Sequence, residues 1–338
     1  MRSPRRSLTL AGVLTTVAGL ALFIWLIWYV GPGEIWDGFR QIGWGLAAIV
    51  AIAGLRFAVR AAAWRLCLEP PHELRLSDAF AAVVSGDALG NLTPLGPIVG
   101  EPAKAAFVRA RVPIGAALTA LAIENVLYTL SVSAMIAAGS VALLVRADVA
   151  PALRHAGEIA IGGVFALYLG TLWTLWRRPA VLSRTLTVAG RWWRSPALGA
   201  RVAKVRALED QIYTFAARRR NALLPLAALE LAFHALGVLE VHLTLWMLLP
   251  QAPDVLTSFV LETVNRLITV VFKPVPMQVG VNEAGTAIVT QMLGLGLQVG
   301  ITLAIVRKAR ILCWMLAGTV LLVRHGLTAR RVLEDVEL

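Results

Sequence analysis

Residues 8–30 read LTLAGVLTTVAGLALFIWLIWYV, 23 residues without a charge. A helix needs about 20 mainly apolar residues to cross a bilayer core, so this run already sets the chain apart from water-soluble folds. The basic start MRSPRR would also suit a secretory signal. The run is longer than the usual h-region of roughly 7 to 15 residues, however, and lacks a clean small-residue cleavage site, so it reads as a retained first helix. Comparable apolar runs at 42–59, 114–145, 157–176, 222–249 and 300–324 bring the expected full spans to six. Charged residues make up only 15% of the 338 residues, against about 25% in soluble domains. The chain therefore reads as one all-α polytopic membrane body over 1–338 rather than two soluble domains.

Charge sets the orientation. Lys and Arg number 32 against 20 Asp and Glu, an excess that the positive-inside rule explains without a nucleic-acid partner. Residues 177–220 hold 11 Lys and Arg against only Glu209 and Asp210, too polar to span, and read as a basic cytoplasmic linker with an amphipathic helix near anionic headgroups. The span at 42–59, closed by Arg56, Arg60 and Arg65, is expected to end in the cytoplasm, and six spans put both termini there. The segments 31–41, 146–158 and 250–254 carry nearly balanced charge and read as loops on the opposite side. Trp25, Trp28, Trp36, Trp44, Trp173 and Trp176 near the span ends read as interfacial belt residues. Cys67 and Cys313 form no CxxC and read as structural thiols.

Two further apolar regions do not make simple spans, because Pro and Gly interrupt each near its middle. Residues 79–110 carry Gly90, Pro94, Gly96, Pro97, Gly100 and Pro102; residues 257–297 carry Pro274, Pro276 and Gly280. Each flanking piece is too short to cross alone. Such a broken backbone is tolerated at membrane depth only where protein buries it or a wet cavity lines it, so each region reads as a re-entrant pair of half-helices.

Sliding the chain on itself by 182 residues lays Pro94 on Pro276, Glu101 on Glu283 and Ala105 on Ala287. In both copies a Pro/Gly break precedes a glutamate that opens a small-residue helix, GEPAKAAF or NEAGTAIV, and a long span follows. The topology enters the first break from the cytoplasm and the second from the other side, so the copies, about 42–176 and 221–326, are expected to form an inverted repeat. Paired, interrupted segments in two halves point to a binding site at the bilayer midplane.

The same regions hold charges that are costly in lipid, at least about 2.5–3.5 kcal/mol each at a helix centre. Asp87, Asn91, Glu101 and Lys104 lie in the first broken region, and Glu262, Arg266, Lys273 and Glu283 in the second. Glu124 and Asn125 interrupt the third span, and Arg307, Lys308 and Arg310 enter the last. Glu262 and Arg266 share a helix face at i, i+4 and read as an internal ion pair, as Arg56 and Arg60 share theirs. Arg307 and Lys308 cannot both reach the nearer surface, which favours a polar cavity or a bound anion such as phosphate; backbone N–H groups at the start of GEPAKAAF could add to it, with Glu101 paired to Lys104. Glu230 and His234, with Glu240 and His242 beyond, read as hydrogen-bonded core groups, or as a proton relay if functional. There is no HExxH, GxSxG elbow or P-loop, so neither metal, cofactor nor enzyme activity is expected.

At GNLTPLGPIVGEPAKAAF and FKPVPMQVGVNEAGTA the chain resembles the flippase-like family typified by the transmembrane portion of lysylphosphatidylglycerol synthases. Gly100 and Glu101, then Gly280, Glu283 and Ala284, fall on the family's motif positions, and the resemblance spans nearly the whole chain. Pro-Leu-Gly-Pro stands where the first motif usually has a glycine-rich run, which leaves the lipid open. The resemblance implies lipid translocation between leaflets without lipid synthesis, since the synthases' soluble aminoacyl-transfer domain has no counterpart here.

Together these features predict a transporter of the bacterial inner membrane that moves a lipid with an anionic headgroup by alternating access. Membrane lipids are the expected partners, and a homo-oligomer is compatible with them. Arg266, Lys273, Arg307, Lys308, Lys104 and Asn91 are expected to hold the headgroup; Glu101, Glu283, Asp87, Glu124 and Glu262 are expected to gate or couple protons. A membrane enzyme acting on a lipid-linked phosphate or sugar, and a non-transporting scaffold for envelope assembly, are the alternatives.

Overall fold

In a computed structural model of the chain, the described residues are 28, 32–92, 96–146, 151–177, 187, 198–251, 253–272 and 278–325. The expected first span at 8–30 and the residues Lys273, Pro94 and Pro276 lie outside them. The described residues build helices α1 (Pro32–Ile42), α2 (Gly45–Cys67), α3 (Leu76–Leu92), α4 (Gly96–Phe107), α5 (Ile114–Arg146), α6 (Pro151–Arg177), α7 (Leu198–Arg218), α8 (Arg220–Leu248), α9 (Val255–Val271), α10 (Val281–Met292) and α11 (Leu297–Arg324). The five remaining expected spans each fall on a helix: α2, α5, α6, α8 and α11. Of these, α2, α5 and α8 are both long and apolar enough to cross a membrane; α11 has the length but carries Arg307, Lys308 and Arg310.

Both interrupted regions are pairs of short helices. α3 and α9 have 17 residues each, α4 and α10 have 12. At 1.5 Å per residue they measure about 25 and 18 Å, short of the roughly 30 Å core. The order long helix, 17, 12, long helix occurs twice, in α2–α5 and α8–α11. The packing respects that exchange: α3 lies against α11 as α9 lies against α5, α2 against α11 as α8 against α5, and α2 meets α8.

Polarity runs opposite to that of a soluble protein. Leu224, Leu231, Leu316 and Ile159 face outward, whereas Arg56, Glu124, Glu230, Glu240, Glu262, Arg266, Glu283 and Arg307 are buried. The largest apolar cluster gathers Trp64, Cys67, Leu74, Val112, Phe215 and Leu226 where α2, α3, α5, α7 and α8 meet. Trp64 also donates Nε1 to the Ala117 carbonyl, and Trp314 of α11 donates to Val50 at 3.0 Å.

Three expectations change, the first being that the loop expected at 146–158 gives way to helix α6 from Pro151 onward. Residues 31–41 do not form a loop: α1 starts on Pro32, whose fixed φ suits a first helical position, and Ile42 at its end is buried against Ile49 and Val306. Arg56 and Arg60 do not mark the end of a span either. Helix α2 runs on to Cys67, so Arg56 stands about 17 Å from its start, inside the bundle. Acidic partners on other helices make that depth tolerable. In the linker, the expected helix is α7, packed on α5 and α8 with Thr119 and Gln211 hydrogen-bonded at 2.7 Å.

Candidate functional site

Glu262, in the middle of α9, is the hub of the buried charges. Arg266, one turn on, meets its Oε1 at 2.5 Å; Arg307 from α11 reaches Oε2 at 3.4 Å and Arg56 from α2 stands at 3.8 Å. Glu240 of α8 is a second anchor, accepting from Arg56 at 3.0 Å and Arg310 at 2.8 Å. Thus α2, α8, α9 and α11 are stitched together by two carboxylates and four guanidinium groups. Gly237 makes the close approach of α8 to α9 feasible, since a Cβ there would sit 2.7 Å from Glu262 Oε1.

Aromatic faces fill the spaces between these charges. The Phe233 ring lies 4.6 Å from the Arg56 guanidinium, 5.1 Å from that of Arg266 and 5.7 Å from that of Arg60. Tyr128 sits 4.0 Å from Arg60, and its hydroxyl receives Arg266 Nη1 at 3.5 Å. Such cation–π contacts are worth about 2 kcal/mol when desolvated. Arg60 in turn pairs with Glu124 of α5 at 2.6 Å and Glu230 of α8 at 3.6 Å.

Glu230 and His234 do not bond each other but meet through Ser131. Its hydroxyl donates to Glu230 at 2.9 Å and lies 3.0 Å from His234 Nε2. The same hydroxyl also lies 2.9 Å from the Tyr128 carbonyl, and His234 Nδ1 has no partner among the described residues. In a nucleophilic triad the carboxylate holds the histidine, which takes the serine proton; here the carboxylate meets the serine instead, and the cluster ties α5 to α8.

The two half-helix pairs carry the outlying charges. Asn91 Nδ2 donates to Asp87 at 3.0 Å, Lys104 pairs with Glu101 at 2.7 Å, and Lys308 of α11 pairs with Glu283 of α10 at 2.9 Å. Glu283 also accepts the Gly280 N–H at 2.7 Å, capping its own helix. Glu101 does not open a helix, because α4 begins at Gly96 and places it in the second turn; α4 starts five residues before its glutamate and α10 only two. The cations Arg56, Arg60, Lys104, Arg266, Arg307, Lys308 and Arg310 are equalled in number by the acids Asp87, Glu101, Glu124, Glu230, Glu240, Glu262 and Glu283, although Glu262 and Glu240 each take more than one arginine.

Pairing of charges does not satisfy every donor. Arg56 Nε, Arg266 Nε, Arg307 Nη1 and Arg310 Nε are buried without an acceptor. All four belong to the arginines that share Glu240 and Glu262. An unmatched buried N–H costs about 1–3 kcal/mol, more for a charged group. These donors can take further acceptors, water or a phosphate oxygen among them, while Glu101 Oε2, Glu124 Oε1 and Glu283 Oε1 are buried acceptors without a hydrogen bond.

The residues expected to bind or gate divide into groups. Arg266, Arg307 and Glu262 come together at the hub, with Glu124 next to them through Arg60. Lys104, Glu101, Asp87 and Asn91 cluster on α3 and α4, and Lys308 with Glu283 on α10 and α11. The carboxylates of Glu262 and Glu283 are partners of Arg307 and Lys308 at 3.4 and 2.9 Å. Arg56, Arg60, Arg310, Glu240, Tyr128 and Phe233 complete the site without having been expected there. The only sequence signal for them is their charge or ring within otherwise apolar runs. Among the described residues no group of three or more His, Cys, Asp or Glu could hold a metal ion.

A family model described as the lysylphosphatidylglycerol synthase TM region matches residues 16–318. No curated protein and no solved structure matches the chain.

Proposed function

The chain belongs to the family of the lysylphosphatidylglycerol synthase TM region, and from that premise we propose that it moves a lipid with an anionic, phosphate-bearing headgroup across the bacterial inner membrane by alternating access. The observation that carries this reading is the set of four unmatched guanidinium N–H donors around Glu240 and Glu262, deep in the bundle. A headgroup phosphate accepts from Arg56, Arg266, Arg307 and Arg310 while its acyl chains stay in lipid. Doing so, it competes with Glu240 and Glu262 for the arginines and loosens contacts that tie α2, α8, α9 and α11.

That competition supplies a switch. α2–α5 and α8–α11 form an inverted repeat in this reading, supported by the twice-repeated helix order and by packing that survives exchange of the halves. Rocking of one repeat against the other about the α2–α8 contact exposes the arginines first to one leaflet and then to the other. Six spans, with both termini in the cytoplasm, complete the topology. Lys273 adds a cation at the second break, and Glu101 and Glu283 hold the half-helices or exchange protons.

The test is reconstitution with fluorescent phosphatidylglycerol and phosphatidylcholine. Movement of chemically intact phosphatidylglycerol, faster than phosphatidylcholine, is expected. Conversion of the labelled lipid by protein in micelles, without movement in vesicles, would replace transport with a membrane enzyme. Neither activity, together with stable retention of a protein partner, would point to a scaffold.

A further inference from the structure

We propose that the end of the bundle where α2 stops and α8 starts carries a second phosphate-binding site, distinct from the central arginines, that holds the headgroup of an anionic phospholipid from the adjacent leaflet. Arg65 lies nine residues beyond Arg56, about 14 Å along the helix axis, so this end and the hub are separate places.

Two clefts open there. One of about 690 Å³ is lined by Arg65, Arg75, Arg111, His72 and Glu73; the other, of about 590 Å³, by Arg218, Arg219, Arg220 and Asn221. Leu66 lines both, so they adjoin. Each lies within the roughly 300–1,000 Å³ typical of small-molecule sites. Six arginines line the pair of clefts against one acid, Glu73.

Basic residues at a membrane surface follow from topology alone; fixed guanidinium groups around a concavity do not. Three of these arginines are held by the fold. Arg65 donates Nε to the Leu74 carbonyl at 2.5 Å, and Arg111 Nε pairs with Asp78 at 3.0 Å. Both contacts use Nε and leave the fork of terminal nitrogens, the part that grips a phosphate, for another acceptor. Arg219 donates Nη1 to the carbonyls of Leu66 and Leu68 at 3.2 and 2.7 Å, closing the end of α2 and fixing the start of α8. Arg218 and Arg220 flank that rivet, and they and Arg75 are exposed. The site thus has an anchored inner row and an exposed outer row of the same charge. Phosphate is the shared chemistry of a lipid headgroup and of soluble phosphate; the location, at the lipid-facing end of two apolar helices, selects the lipid.

The experiment reads binding, and each protein is also measured with Arg307→Gln added, so that headgroup binding at the central arginines is separated from binding at this end. Full-length protein in neutral detergent is titrated with phosphatidylglycerol, phosphatidylcholine or inorganic phosphate, following the thermal midpoint and lipid retention by native mass spectrometry. The variant Arg75→Gln/Arg218→Gln/Arg220→Gln spares the anchored arginines; Arg40→Gln/Arg154→Gln/Arg324→Gln removes the same charge elsewhere. Wild-type and control protein should be stabilised by phosphatidylglycerol alone. The outer-row variant should bind at least about tenfold more weakly, given roughly fivefold per basic residue at a membrane surface. Retention by the wild type should fall as salt rises, a readout that does not depend on any variant folding. Equal binding by the outer-row variant, equal response to phosphatidylcholine, or full stabilisation by inorganic phosphate would each overturn the proposal.

Discussion

The two half-helix pairs have the same lengths and order but are closed by different chemistry. α3 and α4 meet backbone to backbone: a Cβ on Gly100 would stand 2.8 Å from the Gly86 carbonyl, and one on Gly96 3.2 Å from that of Gly90. Their glutamate, Glu101, pairs with Lys104 on its own helix and keeps 28% of its side chain exposed. α9 and α10 instead meet through side chains. Asn282 donates to Asn265, Thr286 to Asn282 and Asn265 to Glu262, at 3.1, 3.2 and 3.1 Å. Glu283 is fully buried, caps α10 from the inside and reaches Lys308 on α11. One shape therefore has two solutions. The first pair is a self-contained glycine clasp, while the second is wired into the arginine hub through Glu262 and into the last helix through Lys308.

That contrast ranks the expected effects of substitution. Glu283→Ala should be the most damaging, because it removes both the buried partner of Lys308 and the cap of α10; breaking such a buried pair costs about 3–5 kcal/mol, to be read as loss of a cooperative thermal transition in detergent. Gly100→Ala should follow, at about 1–3 kcal/mol, since the added methyl must push α4 from α3. Gly280→Ala comes next: its φ of +81° disfavours a side chain, with an expected loss of about 1 kcal/mol. Glu101→Gln should matter least, about 1 kcal/mol, because the part-buried pair is local to one helix and the glutamine oxygen can still accept from Lys104. Thermal midpoints of the four variants decide the matter. If Glu101→Gln proves as damaging as Glu283→Ala, the two glutamates are equivalent and the contrast fails. If Gly100→Ala is silent, the glycine clasp is not what closes the first pair.

Much of this architecture could be read from the residues alone. The apolar runs at 114–145 and 222–249 predict α5 and α8 almost to the residue, because span length follows directly from bilayer thickness. The paired short helices were equally legible from clustered proline and glycine, although single prolines such as Pro102 and Pro225 stay inside helices. The Glu262–Arg266 pair is a local i, i+4 relation, and so was foreseeable. Arg56 and Glu240, by contrast, are 184 positions apart, and spacing holds no trace of their contact; Arg56 looked like the end of a span for that reason. Likewise the partner of Lys308 comes from the next half-helix, where a bound anion would have satisfied the same charge. The expectation that each glutamate opens its helix holds for Glu283 but not for Glu101, which lies five residues into α4.

The central claim is that the arginines around Glu240 and Glu262 carry a phosphate headgroup. Phosphatidylglycerol movement in proteoliposomes, compared between wild type and Arg307→Gln, tests it most directly, with Arg154→Gln as the surface control and thermal unfolding confirming folded protein. The account predicts fast movement in the wild type and control and at least about tenfold slower movement in the folded Arg307→Gln protein, the loss of about 1.4 kcal/mol of headgroup interaction. Movement at the wild-type rate in folded Arg307→Gln protein would contradict it.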